Sequence, residues 1–201
     1  MTNESVNRVV RLIAEQSIDR ASQSLSKMLK AGAAIELKRV EMVDIADITS
    51  DISRENQEVI GAFVDLKGDA PFKFLFYVET KGAFMLTDLY LNREHGFTLN
   101  YDEYVSSTIQ EIGNILASAI ANTFASDFQI NFKPSPPVVL KDFSAVLFEQ
   151  LIMETAIEDN KLLLIESGLV IRKIKLPCRI FIIPMPGTYK ILEFSGGDCT
   201  Q

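Results

Sequence analysis

Ser106-Ser-Thr-Ile-Gln-Glu111-Ile-Gly-Asn114-Ile-Leu-Ala-Ser118 lies within a longer run, Tyr101–Phe128, whose apolar residues recur at helical spacing. Ile109, Ile112, Leu116, Ala119, Ile120 and Phe124 fall on one side of such a helix and can face a core. Ser107, Glu111, Asn114 and Ser118 follow one another at spacings of four, three and four, which draws a single polar stripe on the other side. Asn100 or Asp102 is placed to cap the start. A polar stripe on an amphipathic helix ordinarily meets only solvent, but two details argue for more. Gly113 sits in mid-helix at a cost of ~1 kcal/mol relative to Ala, which points to close approach of something to the backbone. No Lys or Arg occurs between Tyr101 and Gln129, so the stripe lacks the mixed charge of an ordinary solvated face.

Working outward, residues 4–30 read as a first long helix, ended by Ala31-Gly32-Ala33. Ala34–Ile45, Glu58–Leu66 and Pro71–Thr80 read as strands, with Lys67-Gly68-Asp69 as a hairpin turn. Gly82–Asn92 is apolar at helical spacing, and Asn92–Asn100 is the polar central connection. Beyond the long helix, Lys133–Pro137 breaks regular structure and Val138–Lys141 resumes extended chain. Ser144–Ala156, Lys161–Ile174 and Leu176–Ile183 read as strands, with a turn at Glu158–Asn160 and a final short helix at Thr188–Phe194. The order helix, strands, helix thus occurs twice. It predicts an internal duplication of about 100 residues, with 1–96 and 97–201 sharing one sheet and core, because a unit of that size buries little apolar surface alone. The alternative is an ordinary α+β domain whose element order repeats by coincidence.

Composition narrows the function classes. The chain has 201 residues, with 20 Lys+Arg against 27 Asp+Glu, a net charge of −7, one His and two Cys. An acidic balance disfavours nucleic acid, since phosphate contacts need clustered Lys and Arg. No apolar run approaches the roughly 20 residues of a membrane span, and no secretory signal is visible. Cys178 and Cys199 fit no zinc or redox spacing, which predicts a reducing, cytoplasmic setting. A lone His95 leaves no room for a His base or a His metal cluster, and it is expected to be an exposed loop residue. Cys178, beside Pro177, reads as a small buried filler.

The stripe resembles a known signature. Asp or Ser, three residues, Glu, two residues, Asn, twenty-two residues and Pro is the active-site pattern of the CheC/CheX/FliY chemotaxis phosphatases, and Ser107, Glu111, Asn114 and Pro137 meet every spacing. Leu99-Asn-Tyr-Asp-Glu-Tyr, the run Phe132–Glu149 and the segment from Ile182 to Tyr189 also look like CheC, so the resemblance covers roughly residues 99–195 and is closest to CheC. It implies an α+β fold of two pseudo-symmetric halves sharing a β-sheet core, with long helices on one face. It implies dephosphorylation of the aspartyl-phosphate of a CheY-type response regulator. Asn114 would orient the attacking water, Glu111 would anchor the regulator through its active-site Lys, and Ser107 and Pro137 would support the site. Gly113 would permit tight docking. The chain would need no metal or cofactor of its own, because the regulator brings its Mg²⁺.

The resemblance also implies a departure. CheC commonly carries the motif in both halves, but here the first-half positions fall on Arg8, Leu12, Glu15 and Lys38. A single site in the second half is expected. A noncatalytic adaptor, binding a response regulator, the deamidase CheD or the flagellar motor switch through the same surface, is the alternative to an enzyme. Tyr101 and Tyr104 flank the helix start, where packing is the expected role and contact with a partner the alternative.

Overall fold

The computed structural model describes residues 3–153, 161–171, 174–185 and 188. In chain order the elements are α1 (Asn3–Leu29), β1 (Ala33–Asp44), α2 (Ile45–Glu55), β2 (Glu58–Gly68), β3 (Phe72–Glu79), α3 (Thr80–Tyr90), α4 (Glu103–Phe128), β4 (Phe132–Pro134), β5 (Val138–Phe143), α5 (Ser144–Met153), β6 (Lys161–Ile171) and β7 (Ile174–Pro184). The expected turn at Glu158–Asn160 and the helix beyond Thr188 lie outside the described residues.

Every strand pairing is antiparallel. The sheet runs β1-β6-β7-β3-β2, and both β4 and β5 pair with the free side of β2. The order is the same from either edge when β1, β2 and β3 are exchanged with β5, β6 and β7. The axis of that exchange runs between β3 and β7, which pair from Phe72↔Pro184 to Val78↔Cys178. Each half lends its first strand to the other: β1 pairs with β6, and β5 with β2.

Alternation along the central strands builds two cores. Phe72, Phe74, Phe76 and Val78 of β3 point to one face with Ile60, Ala62 and Val64 of β2 and Ile180 and Ile182 of β7. Both long helices cover that face, as expected, together with α3. In α1 the buried residues Ala14, Ile18, Ala21, Leu25 and Leu29 keep three- and four-residue spacing. The intervening residues Val59, Leu75, Tyr77, Phe181 and Ile183 point to the opposite face.

That opposite face carries two helices the sequence reading did not assign. The sequence pattern predicts a strand over Ser144–Ala156, yet Ser144–Met153 is α5, and Ile45–Glu55, which carries no sustained pattern, is α2. Ser144, Leu147, Phe148 and Leu151 are buried at helical spacing, as are Ile48 and Ile52. The two helices pack on each other over the second core. A strand in either place would leave the apolar sides of Tyr77, Leu75 and Phe181 open to water. With them, each half reads long helix, strand, short helix, two strands.

Cys178 fills the first core as expected: it is 6% exposed, its sulfur lies 3.4 Å from Ser167 Oγ, and burial pushes its thiol pKa up to about 11. A Cys199→Ser protein, which keeps Cys178 as its one thiol, is expected to resist Ellman's reagent at about pH 8 until denaturant is added, since the thiolate is the reacting form. Prompt labelling of the native variant would show that the β6–β7 ladder opens at this point.

Candidate active site

Asp102 is the helix cap, accepting from the amides of Tyr104 and Val105 at 3.0 and 2.9 Å and satisfying two donors that have no partner within α4. From there Val105, Ile109, Ile112, Leu116, Ile120 and Phe124 bury one side of the helix. Ser107, Glu111 and Asn114 emerge together on the other, all exposed, with Ser118 half-buried at the end of the row. Among the described residues no hydrogen bond or ion pair engages the side chains of Ser107, Glu111 or Asn114. A carboxylate and an amide one turn apart, both unengaged, are free to meet groups brought by another molecule.

Gly113 explains how this row is positioned, and here the structure corrects the sequence expectation. The close approach that Gly113 permits is made by the chain itself. A Cβ at Gly113 would stand 2.5 Å from Cβ of Ala62 on β2 and 3.9 Å from Cβ of Pro137. Gly113 is buried and faces the sheet, so it cannot serve as a docking point for a partner. A glycine facing an alanine lets α4 lie close on β2 while the opposite side of the same turn carries Glu111 and Asn114 outward.

Pro137 completes the arrangement. In the first half β1 runs unbroken for 12 residues. In the second half the corresponding chain is divided into β4 and β5 by Ser135-Pro136-Pro137, since a proline nitrogen has no hydrogen for the ladder. Ser135 mends the gap: its Oγ accepts from the Asp65 amide at 2.9 Å, and its own amide donates to Asp65 O at 2.8 Å. The half-buried Pro137 then lies beside α4, where its carbonyl accepts from Gln110 Nε2 at 3.2 Å. The fold therefore sets Ser107, Glu111 and Asn114 in one exposed row on α4 and places Pro137 against the neighbouring residues Gln110 and Gly113 of the same helix. Gln110 was not singled out, because its partner stands far along the chain and no local pattern announces the bond.

One displacement along the chain takes Leu29 to Phe128, Ala33 to Phe132, Asp44 to Phe143 and Ile45 to Ser144, which are matching element boundaries of the two halves. The same displacement takes Leu12 to Glu111, Glu15 to Asn114 and Lys38 to Pro137. The first half therefore carries neither the amide, on α1, nor the proline, on β1, at the equivalent points.

The sheet's other face holds a polar cleft lined by Arg39, Arg54, Glu55, Glu166 and Arg179. Its charges are paired internally: Arg179 meets Glu55 at 2.6 Å and Glu166 at 3.6 Å, and Arg39 meets Glu41. Burial raises the Tyr77 pKa. Burial also works against the Arg179 guanidinium, but Tyr77, Glu55 and Glu166 outweigh it and raise its pKa. These neutralised pairs brace α2 against β6 and β7. Among the described residues no group of three or more His, Cys, Asp or Glu is placed to hold a metal ion, and no helix is long and apolar enough to cross a membrane.

Comparison with known proteins falls on the same segment. Residues 105–140 match the model of the CheC-like family, a span that holds Ser107, Glu111, Asn114 and Pro137 together. That segment resembles the CheC-like family. The fold as a whole is similar to FliY of Thermotoga maritima, with a TM-score of 0.75 at 18% identity over 97% of both chains. It is also similar to the FliM middle domain of H. pylori, with a TM-score of 0.70 at 13% identity over 96% of this chain and 99% of that one. A chain of the CheX–CheY–BeF3–Mg²⁺ complex of Borrelia burgdorferi matches with a TM-score of 0.54 at 18% identity, over 86% and 97% of the two chains. The α+β architecture, with one antiparallel sheet and long helices on one face, is the CheC/CheX/FliY fold anticipated from the sequence.

Gly113→Ala is expected to destabilise the protein although it gains ~1 kcal/mol of helix propensity, because overpacking costs about 1–3 kcal/mol. Ala62→Gly added to it should recover part of the loss. Urea denaturation of both single variants and the double variant reads the coupling; simple additivity would mean that α4 and β2 do not meet at this contact.

Proposed function

We propose that the protein is a response-regulator phosphatase, which hydrolyses the aspartyl-phosphate of a CheY-type receiver through Glu111 and Asn114. The observation that carries the reading is the unengaged Glu111–Asn114 pair, exposed on one face of α4 inside the CheC-like segment. The match to that family, with the likeness to FliY and CheX, supports a role in chemotaxis signalling.

The chemistry suits a site with so few groups. An acyl phosphate already carries a good leaving group, and the regulator's Mg²⁺ neutralises charge on the phosphoryl oxygens. The phosphatase must add a water held in line with the bond that breaks. The Asn114 carboxamide oxygen accepts a hydrogen bond from that water and turns a lone pair toward phosphorus. As the water oxygen bonds to phosphorus, the bond to the aspartyl oxygen breaks, the carboxylate leaves, and the water's proton passes to phosphate or solvent. No strong base is required, so an amide suffices. Glu111 pairs with the regulator's Lys and fixes the helix against the receiver by a charge-assisted hydrogen bond. Ser107 borders the row, and Pro137 holds the α4 turn from beside it. A single site in the second half follows, since α1 offers Leu12 and Glu15 where α4 offers Glu111 and Asn114.

An adaptor that binds without turnover is the second reading, favoured by the likeness to a FliM middle domain along nearly the full chain. The regulator, CheD and switch proteins are its partners of choice.

Loss of phosphate from a phosphorylated CheY-type receiver, measured with catalytic amounts of the protein and Mg²⁺, separates the two. Asn114→Ala is expected to slow turnover about 100-fold at saturation, the scale of a misplaced reacting group. Glu111→Ala is expected to raise the half-saturating receiver concentration about tenfold, the lower end of a lost charged hydrogen bond. Unchanged rates in both variants, or no turnover by the native protein, would end the enzymatic reading.

A further inference from the structure

The connection between α3 and α4 is shaped by a buried acid. Asp88 is 2% exposed on α3, and its carboxylate accepts from the amides of Gly96, Phe97 and Thr98 at 2.8, 3.1 and 2.9 Å, and from the Thr98 hydroxyl. Withdrawing a carboxylate from water is costly unless such bonds replace its hydration. Here they fix three successive backbone groups of a surface loop, with Gly96 at φ +86° to make the turn.

The loop so fixed holds apolar side chains out in water. Phe97 is 65% exposed and Leu99 73%. A free loop would fold them back onto the protein; this one is tied down. The Arg93 guanidinium lies 5.0 Å from the Phe97 ring and 4.8 Å from the Tyr104 ring, which joins the loop to the first turn of α4. Tyr101 and Tyr104, expected to pack at the helix start, are instead 38% and 47% exposed and extend the same patch.

Tyr104 stands on the face that carries Ser107, Glu111 and Asn114. Two turns separate it from Glu111, roughly 10 Å along the helix. A partner seated on Glu111 and Asn114 therefore also reaches this patch. The segment from Tyr101 to Phe132 carries Asp102, Glu103, Glu111 and Asp127 and no Lys or Arg of its own, with Arg93 reaching it at Tyr104 and Arg20 at Thr123. A second copy of the chain would bring the same acidic face, which like charge disfavours, whereas a receiver presenting a Lys at its site is complementary.

We propose that Phe97 and Leu99, held outward by Asp88 and backed by Arg93 and Tyr104, are the hydrophobic anchor by which the protein selects its receiver partner. The proposal rests on the phosphatase reading for the identity of that partner. The anchor supplies binding and specificity, and Glu111 and Asn114 supply orientation and water. Rigid, exposed anchors favour association because little ordering is left to be done on binding.

The test uses a Phe97→Ser, Leu99→Ser double variant of the full chain, which should fold normally because both side chains are already in water. Matching thermal melts confirm it, and a Leu99→Ser single variant serves if they differ. A beryllofluoride-loaded CheY-type receiver, which cannot turn over, is titrated against native protein, Asn114→Ala and the double variant. Phosphate release from the phosphorylated receiver is followed in parallel. The double variant should bind the loaded receiver about tenfold more weakly and raise its half-saturating concentration alike, with a saturated rate within about twofold of native. Equal binding by native protein and double variant overturns the anchor and leaves the phosphatase reading standing. Patch-dependent binding without turnover by the native protein overturns the phosphatase reading and leaves the anchor standing. Native protein that binds no loaded receiver overturns both. A native dimer that the double variant dissolves, seen by sedimentation, makes a second copy the occupant and overturns the assignment to a receiver.

Discussion

The pairing of β3 with β7 is the contact on which the other parts rest. It joins β3, buried at six of its eight residues, to its counterpart in the second half, and both cores form on its two faces. Each half's first strand then finds its partner only across that line, β1 on β6 and β5 on β2. Neither half keeps a complete sheet without the other. The helices follow: α1 and α4 lie side by side on one face, where Arg20 reaches Thr123 at 3.3 Å, while α2 and α5 close the opposite face.

Within that frame the candidate site depends on small groups rather than reactive ones. Gly113 against Ala62 sets how near α4 comes to the sheet, and the break at Pro136-Pro137 brings a proline carbonyl to Gln110. The exposed Glu111 and Asn114 owe their placement to these contacts on the far side of their own helix. The proposed role of a binding and water-placing pair asks for stable positions, and a helix packed along a sheet gives that better than a loop.

The long helices and the central strands were legible in the sequence because their periods are sustained. Ile109 to Phe124 keeps a helical repeat over several turns, and Phe74 to Val78 is apolar on both faces because both faces are covered. The helices α2 and α5 were not. Each is short, and α5 is so rich in apolar residues that its helical spacing, Ser144, Leu147, Phe148 and Leu151, is masked by Val146 and Ile152 between them. The Ser107–Glu111–Asn114–Pro137 spacing was visible directly, whereas the meaning of Gly113 was not, since Ala62 stands on a strand far off in the chain. The loop before α4 was equally hidden. Its only trace was Asp88, the one acid in α3, whose bonds to Gly96, Phe97 and Thr98 depend on how the chain returns to it.

The exchange of first strands has a consequence for how the chain reaches its fold on the ribosome. When β1 leaves the exit tunnel, its partner β6 has yet to be synthesised, and more than half the chain must follow before that edge can close. The contacts that complete the sheet are among the most distant in sequence, a topology that slows folding and lengthens exposure of unpaired edges. During synthesis α1 can cover part of β1, but the strand's free edge stays available to chaperones, or to other nascent copies, until the second half has emerged.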